Sequence, residues 1–231
     1  NRVVLACRWK EKGDRAKHEI GQVSGNPRIG ARELVLSSLA SVRSFAKRFK
    51  EENATGLAGI VCNAGVSGTA RGATSEGFDI VFATNHLGHY LLTLLLLPVM
   101  EQAGRIVVVG SDMHGPPQGD LVWPGADALA HPAERLADSP LRYSYSKLCN
   151  LYFTYELAAR LEACGSSITA NAFNPGLMTE TNFPPDQARF RPAFLESVSD
   201  RLGSLDASSS ALAVLALDAR FEGGPGEYFP R

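Results

Sequence analysis

The stretch LAGIVCNAG, residues 57–65, decides the fold. Its first six residues are apolar or small, and it ends in a glycine turn. A half-solvated strand alternates apolar with polar residues, whereas one that stays apolar is covered on both faces, as in a parallel sheet. The same rhythm repeats outward from it. Upstream lie RVVLACR (2–8) and RELVLS (32–37), followed by predicted helices over 10–22 and 39–50, the second with Ser38 as a cap. Downstream come a mostly helical segment (75–100), the β-branched strand RIVVVGS (105–111) and a helix over 143–163. Strand SITANAF (167–173), a helix near 207–219 and a short strand around Tyr228 complete the chain. Strands alternating with helices specify an α/β fold, a Rossmann-type doubly wound parallel sheet in a single domain spanning 1–231. Ligands in such folds bind beyond the carboxyl ends of the strands. The residues that close the predicted strands are Arg8, Asn63-Ala64-Gly65, Ser111 and Asn174-Pro175-Gly176. The Pro/Gly-rich stretch 112–140 is too long for a mere connector and reads as a functional loop.

Composition narrows the classes. The chain has 231 residues, 45% of them apolar, enough for one sizeable core. A formal charge of −1 argues against a nucleic-acid or anionic-membrane partner. Cys7, Cys62, Cys149 and Cys164 are scattered without CxxC or metal-ligand spacing, so Cys7 and Cys62 are expected as small buried hydrophobes in a reducing, cytoplasmic setting. The apolar run YLLTLLLLPVM (90–100) is shorter than the roughly 20 residues of a membrane span, so no transmembrane segment is expected. His86 and His89 stand three apart with no evident third ligand, and no metal is expected. Trp9 and Trp123 read as packing residues.

One motif invites chemistry. In YSYSKLCNLYF (143–153), Tyr143 and Lys147 are one helical turn apart and share a face, with Cβ atoms about 5–6 Å from each other. A lone phenol titrates near pH 10, and a neighbouring cation lowers that value. A solvated tyrosine and lysine on an amphipathic helix would look the same, so the pair decides nothing alone.

Six landmarks in order decide it: ACR, CNAG, NHLGHYLLT, VVVGS, YSYSK and NPGLMT. With these the chain resembles the short-chain dehydrogenase/reductase family over nearly its whole length, in a branch like the retinol dehydrogenases and protochlorophyllide reductases. The resemblance implies a role for each landmark. Tyr143 would be the general acid in carbonyl reduction, and Lys147 would lower its pKa and hydrogen-bond the nicotinamide ribose. Ser111 would hold the substrate oxygen. Asn85 would be the helix asparagine that anchors a water linking Lys147 to solvent. Asn63, Ala64 and Gly65 would run beside the adenine ribose. Pro175 and Gly176 would let the backbone approach the nicotinamide, with Thr179 reaching its amide. Arg8, with Lys10 nearby and no acid before Glu11, stands where an acidic residue would accept a ribose 2′-hydroxyl and an arginine accommodates a 2′-phosphate, which favours NADP(H). The implied function is an NADP(H)-dependent oxidoreductase acting on a carbonyl/alcohol pair of an apolar small molecule. A homo-oligomer stays open.

The departures from the family pattern are as specific. The family opens with a strand and a glycine-rich turn that seats the pyrophosphate at a helix N-terminus. This sequence starts at what corresponds to the second strand, so the expectation is an incomplete chain whose central strand and turn are not in it. Val35 stands where relatives often carry an aspartate for the adenine amino group. Cys62 replaces the commoner asparagine, a variant familiar in protochlorophyllide reductases, but Leu177 stands where those enzymes carry a cysteine. Two alternatives therefore remain: light-dependent protochlorophyllide reduction, and a catalytically silent dinucleotide-binding regulator. The intact set Asn85, Ser111, Tyr143 and Lys147 argues against the second.

Overall fold

A computed structural model describes residues 2–53, 56–115, 122–133, 136, 141–183, 190–222, 224 and 226–230. The order begins β1 (Val3–Cys7), α1 (Lys10–Ser24), β2 (Ile29–Glu33), α2 (Leu39–Glu52) and β3 (Leu57–Cys62). Helix α3 runs from Ile80–Phe82 through a π-helical turn, Ala83–Leu87, into Gly88–Leu96. Then come β4 (Met100–Val109), α4 (Ala126–Ala130), α5 (Leu141–Ala163), β5 (Thr169–Phe173), α6 (Pro192–Ser197), α7 (Leu205–Leu217) and β6 (Tyr228–Phe229).

Among the described residues the named strands pair in parallel and form two sheets: β1-β2, and β3-β4-β5-β6 in that order. Strands β4 and β5 have the covered faces that their apolar residues demand, whereas β3, expected to be covered on both faces, buries only Ile60 and Cys62 and leaves Ala58, Gly59 and Val61 exposed. On β4, Ile106 and Val108 join the cluster of Val42, Phe45, Leu92 and Phe153, while Val107 packs with Phe173 and Leu215 on the other face. Strands β1 and β3 share no ladder among the described residues, and Val3 and Val61 on them are 43% and 44% exposed. The described strands thus form two separate ladders, with β1 and β3 at the facing edges.

Contact between the halves runs through α2 and α3. Leu34 and Leu36, just past β2, share one core cluster with Ile60 of β3 and Leu96 of α3. Gly88 permits the approach, because a Cβ there would stand 2.3 Å from the Leu36 carbonyl oxygen.

Several boundaries differ from expectation. β2 lies three residues before RELVLS, because its register with β1 runs from Val3–Ile29 to Cys7–Glu33. The chain then turns away, with the Val35 N–H donating to Ser41 Oγ at 3.1 Å. Helix α2 begins after Ser38 as predicted, and Ser38 Oγ accepts the Ser41 N–H at 3.2 Å. β4 starts at Met100, five residues early, pairing with Leu57 across a register shift. The segment 112–140 holds the short helix α4, and the Pro-rich stretch after β5 holds α6. Trp9 and Trp123 are about half exposed rather than packed in a core. Cys62 is buried as expected, but Cys7 only partly.

All of the apolar run 90–100 but Met100 belongs to a longer helical segment, Ile80–Val99, which is long and apolar enough to cross a membrane by length and composition. Half of it is buried inside the fold, where it carries Asn85 and His89 and packs against α2.

Candidate active site

The site forms where β3, β4 and β5 end. Helix α5 lies against β4 and β5 and brings Tyr143 and Lys147 to this edge. Lys147 is buried, its Nζ donates to the Val109 carbonyl at 2.7 Å, and it stands 5.6 Å from the centre of the Tyr143 ring. The shared face expected from the four-residue spacing is therefore present, with the ammonium drawn under the end of β4. Burial pulls the Lys147 pKa down to about 8, with the nearby Cys62 acting weakly the other way. Cys62 itself is pushed up to about 11 by burial, against the hydrogen bond to Thr93 Oγ1, and so stays a neutral thiol.

Two residues past Val109, Ser111 leaves β4 and its Oγ accepts the Met113 N–H at 3.2 Å. A hydroxyl that spends a lone pair this way keeps its own proton to donate. The described acceptor for that proton, Asp112 Oδ1, is distant at 3.5 Å.

Asn85 sits fully buried in the π-helical turn of α3 and ties three elements together. Its Oδ1 accepts the Val66 N–H at 2.7 Å, and its Nδ2 donates to the Val66 carbonyl and to Ser146 Oγ, both at 3.0 Å. Ser146 in turn donates to the Tyr143 carbonyl at 2.7 Å. The backbone carbonyl of Asn85 accepts from Asn150 Nδ2 at 3.0 Å. Asn85 thus clamps the loop after β3 to the helix that bears Tyr143. Ser146 and Asn150 complete this chain, and the sequence reading gave neither a role. Their signal was placement, one before and three after Lys147 on the same helix.

The histidines are structural donors and acceptors. His86 Nδ1 meets Asn150 Oδ1 at 3.1 Å, and the His89 Nε2–H donates to the Ala64 carbonyl at 2.8 Å. Burial holds His89 down at about 4, so it is neutral and fixes the strand-end turn. No group of three or more His, Cys, Asp or Glu side chains among the described residues is arranged to hold a metal ion.

Asn63, Ala64 and Gly65 follow β3 directly and are exposed, an open backbone edge beside Asn85. After β5, the Gly176 N–H donates to Asn174 Oδ1 at 3.1 Å, and Gly176 takes φ 75°, where glycine meets no Cβ penalty. The Pro175 carbonyl is fixed by Ser208 Oγ at 2.6 Å, and Thr179 lies exposed three residues beyond Gly176. Phe183 comes back over the site, its ring 6.0 Å from that of Tyr143.

Arg8 is placed apart from these groups. It follows β1 on the two-stranded sheet, exposed, with its guanidinium 5.0 Å above the Trp9 ring. The structure therefore gathers Asn85, Ser111, Tyr143 and Lys147 around the end of β4, and leaves Arg8 on the far side of the division between the sheets.

The family model for short chain dehydrogenases matches residues 1–120. Retinol dehydrogenase 11 of Mus musculus is 37% identical over 175 residues, covering 76% of this chain and 53% of that protein. Dehydrogenase/reductase SDR family member 13 of Bos taurus is 40% identical over 177 residues, covering 76% and 44% respectively. The chain thus spans about half the length of the curated relatives it matches. Among solved structures, an uncharacterized protein from Mycobacterium paratuberculosis has a TM-score of 0.65 at 32% identity, over 95% of this chain and 83% of that one. L-Sorbose reductase from Gluconobacter frateurii, solved with NADPH and L-sorbose, has a TM-score of 0.71 at 19% identity, over 100% and 85%, a likeness of fold alone. With a parallel sheet flanked by helices and these matches together, the chain belongs to the short-chain dehydrogenase/reductase family of oxidoreductases.

Proposed function

We propose that the protein interconverts a carbonyl and an alcohol on an apolar small molecule, with NADP(H) as cofactor and Tyr143 as general acid. One observation carries this reading: Lys147 is buried beneath the Tyr143 ring at the end of β4, two residues from Ser111. A phenol is too weak an acid for fast proton transfer near neutral pH, and a cation held on its face favours the tyrosinate left after transfer. Ser111 donates its hydroxyl to the substrate oxygen and gains strength as negative charge develops there. Tyr143 delivers its proton to that oxygen, and Asn85, through Ser146, keeps the backbone of Tyr143 in place.

NADP(H), when bound, supplies the hydride. The residues present fit it: an ammonium has three donors and Lys147 spends one on Val109, which leaves it able to reach a ribose hydroxyl. The exposed edge Asn63–Ala64–Gly65 suits the adenine ribose, and Pro175, Gly176 and Thr179 the nicotinamide. Arg8 is exposed, with its guanidinium over the Trp9 ring, and its fork would suit a 2′-phosphate. The retinol dehydrogenase relatives and Phe183 beside Tyr143 support an apolar substrate. Free thiols at Cys7, Cys62, Cys149 and Cys164 support a reducing, cytoplasmic setting.

The test is NADPH consumption by the full-length protein over a panel of apolar aldehydes, ketones and quinones, with NADH in parallel. Turnover with NADPH and an apolar carbonyl is the expected result. Binding of NADPH without turnover of any member would favour the silent-regulator reading instead.

A further inference from the structure

Arg142 stands one residue before Tyr143 and is buried, as is its partner Asp79. Its Nη1 donates to Asp79 Oδ2 at 2.5 Å, while Nη2 donates to the Gly68 carbonyl at 3.0 Å and the Ala70 carbonyl at 2.6 Å. The other Asp79 oxygen accepts the N–H groups of Val81 and Phe82 at 3.1 and 2.9 Å, capping α3. The Asp79 N–H donates to the carbonyl of Ala130, the last residue of α4, at 2.8 Å. Four segments meet at this pair: the loop after β3, the start of α3, the end of α4 and the first turn of α5.

A buried ion pair is a poor source of stability, because desolvating two charges offsets their attraction and an apolar pair of like volume often does as well. What it supplies is direction, since the planar guanidinium fixes its donors in one fork. Here the fork is spent on two carbonyls of the loop 66–72 and on the residue that caps α3. We propose that Arg142 is a positioning residue. It locks the first turn of α5 onto that loop and onto α3, and so sets where the Tyr143 phenol stands over Lys147. The proposal rests on the reading of Tyr143 as proton donor.

Two variants of the full-length protein separate this role from plain stabilisation. Arg142→Lys keeps a cation opposite Asp79 but replaces the fork with a single ammonium. Asp79→Asn/Arg142→Met removes both charges while leaving an Oδ1 to cap α3. The expected kcat of Arg142→Lys is about tenfold below wild type, with the KM for NADPH unchanged within about twofold, since misplacement by about 1 Å is costly for proton transfer. The double variant should melt at or near the wild-type temperature and still show the low kcat. Ultraviolet difference titration of Tyr143, against a Tyr143→Phe blank, gives a readout independent of turnover. In Arg142→Lys the phenol should ionise about one pH unit higher than in wild type. That shift is read even if the protein reduces no carbonyl, so failure of the functional reading and failure of this one are distinguishable. Wild-type kcat and wild-type titration in the double variant would overturn the proposal. So would failure of both variants to fold, which would make Arg142 a stabilising contact only.

Discussion

The four-stranded half of the molecule and the two-stranded half are built to different standards. In the first, Ile106, Val107, Val108, Ala170 and Ala172 are fully buried. In the second, only Ile29 among the strand residues is buried, and a lone pair of strands is marginal without further packing. The groups that would transfer and stabilise protons, Ser111, Tyr143 and Lys147, follow or lean on the well-packed strands. The group that would read the cofactor's charge, Arg8, extends from the shallow pair. On the proposed reading, chemistry that depends on fractions of an ångström would hang on the better-packed half, and charge recognition, which tolerates looser geometry, on the other. If the division holds, changes in the first half lower turnover and changes in the second alter cofactor choice.

The sharpest way to break the comparison is Tyr143→Phe. It removes one oxygen and leaves the Phe183 contact and the backbone link to Ser146. A positioned general acid contributes about 10²–10⁴-fold, so turnover should fall by about 10³-fold while NADPH binding, followed by fluorescence, stays within about twofold. Equal turnover in both proteins would remove the catalytic half from the account.

Lys147→Met tests burial in the same half by a pH profile. In the unfolded chain the lysine titrates at 10.5, and in the folded chain at about 8. Between these values the unfolded state holds the extra proton, so stability rises with pH through that window. Below about pH 8 the cost of burying the ammonium is fully present, and above 10.5 it is gone. The wild type should therefore gain about 3 kcal/mol relative to Lys147→Met across the window, at 1.36 kcal/mol per unit. Denaturant melts of the cofactor-free proteins at pH 7, 8.5 and 10 measure it. A constant difference would mean that Lys147 is charged throughout, with solvent reaching it.

Arg8→Ala addresses the other half. A hydrogen bond to a charged group is worth about 1.5–3 kcal/mol, so NADPH should bind about ten- to hundredfold more weakly. NADH affinity and kcat at saturation should be unchanged. A matched loss for both cofactors would make Arg8 a structural partner of Trp9 and withdraw the NADP assignment.

The sequence was most legible where one strand carried its own signal. Apolar runs ending in CNAG, VVVGS and NPG placed β3, β4 and β5, and the Tyr143–Lys147 spacing put both on one face of α5. It was least legible where a partner sets the outcome. β2 lies over Ile29–Glu33 because β1 fixes its register, so the apolar Leu34 and Leu36 of RELVLS serve the core beyond the strand. Asp79 and Arg142 lie 63 residues apart, and nothing local marks either as the other's partner. The half-exposed Trp9 and Trp123 misled for a related reason: their neighbours, Arg8 and Tyr152, are polar or at the surface.

The smallest expected effect comes from the helix that spans both halves. The buried face of α2, Val42, Phe45, Ala46 and Phe49, packs into the cluster that also holds Leu34 from beside β2 and Ile60 from β3. Its first turn is held by Ser38, whose Oγ accepts the Ser41 N–H. Replacing such a cap by alanine leaves a helix-end donor unsatisfied and typically costs about 1 kcal/mol. Ser38→Ala should therefore lower stability by about that amount in denaturant melts. Because α2 bears none of the proposed catalytic groups, kcat should not move. Because it backs the two-stranded sheet, the KM for NADPH should rise, by no more than about twofold, as that half opens more often. A fall in kcat at unchanged KM would show that α2 supports the catalytic half, and the proposed split between rigid chemistry and looser recognition would then fail at the helix that joins them.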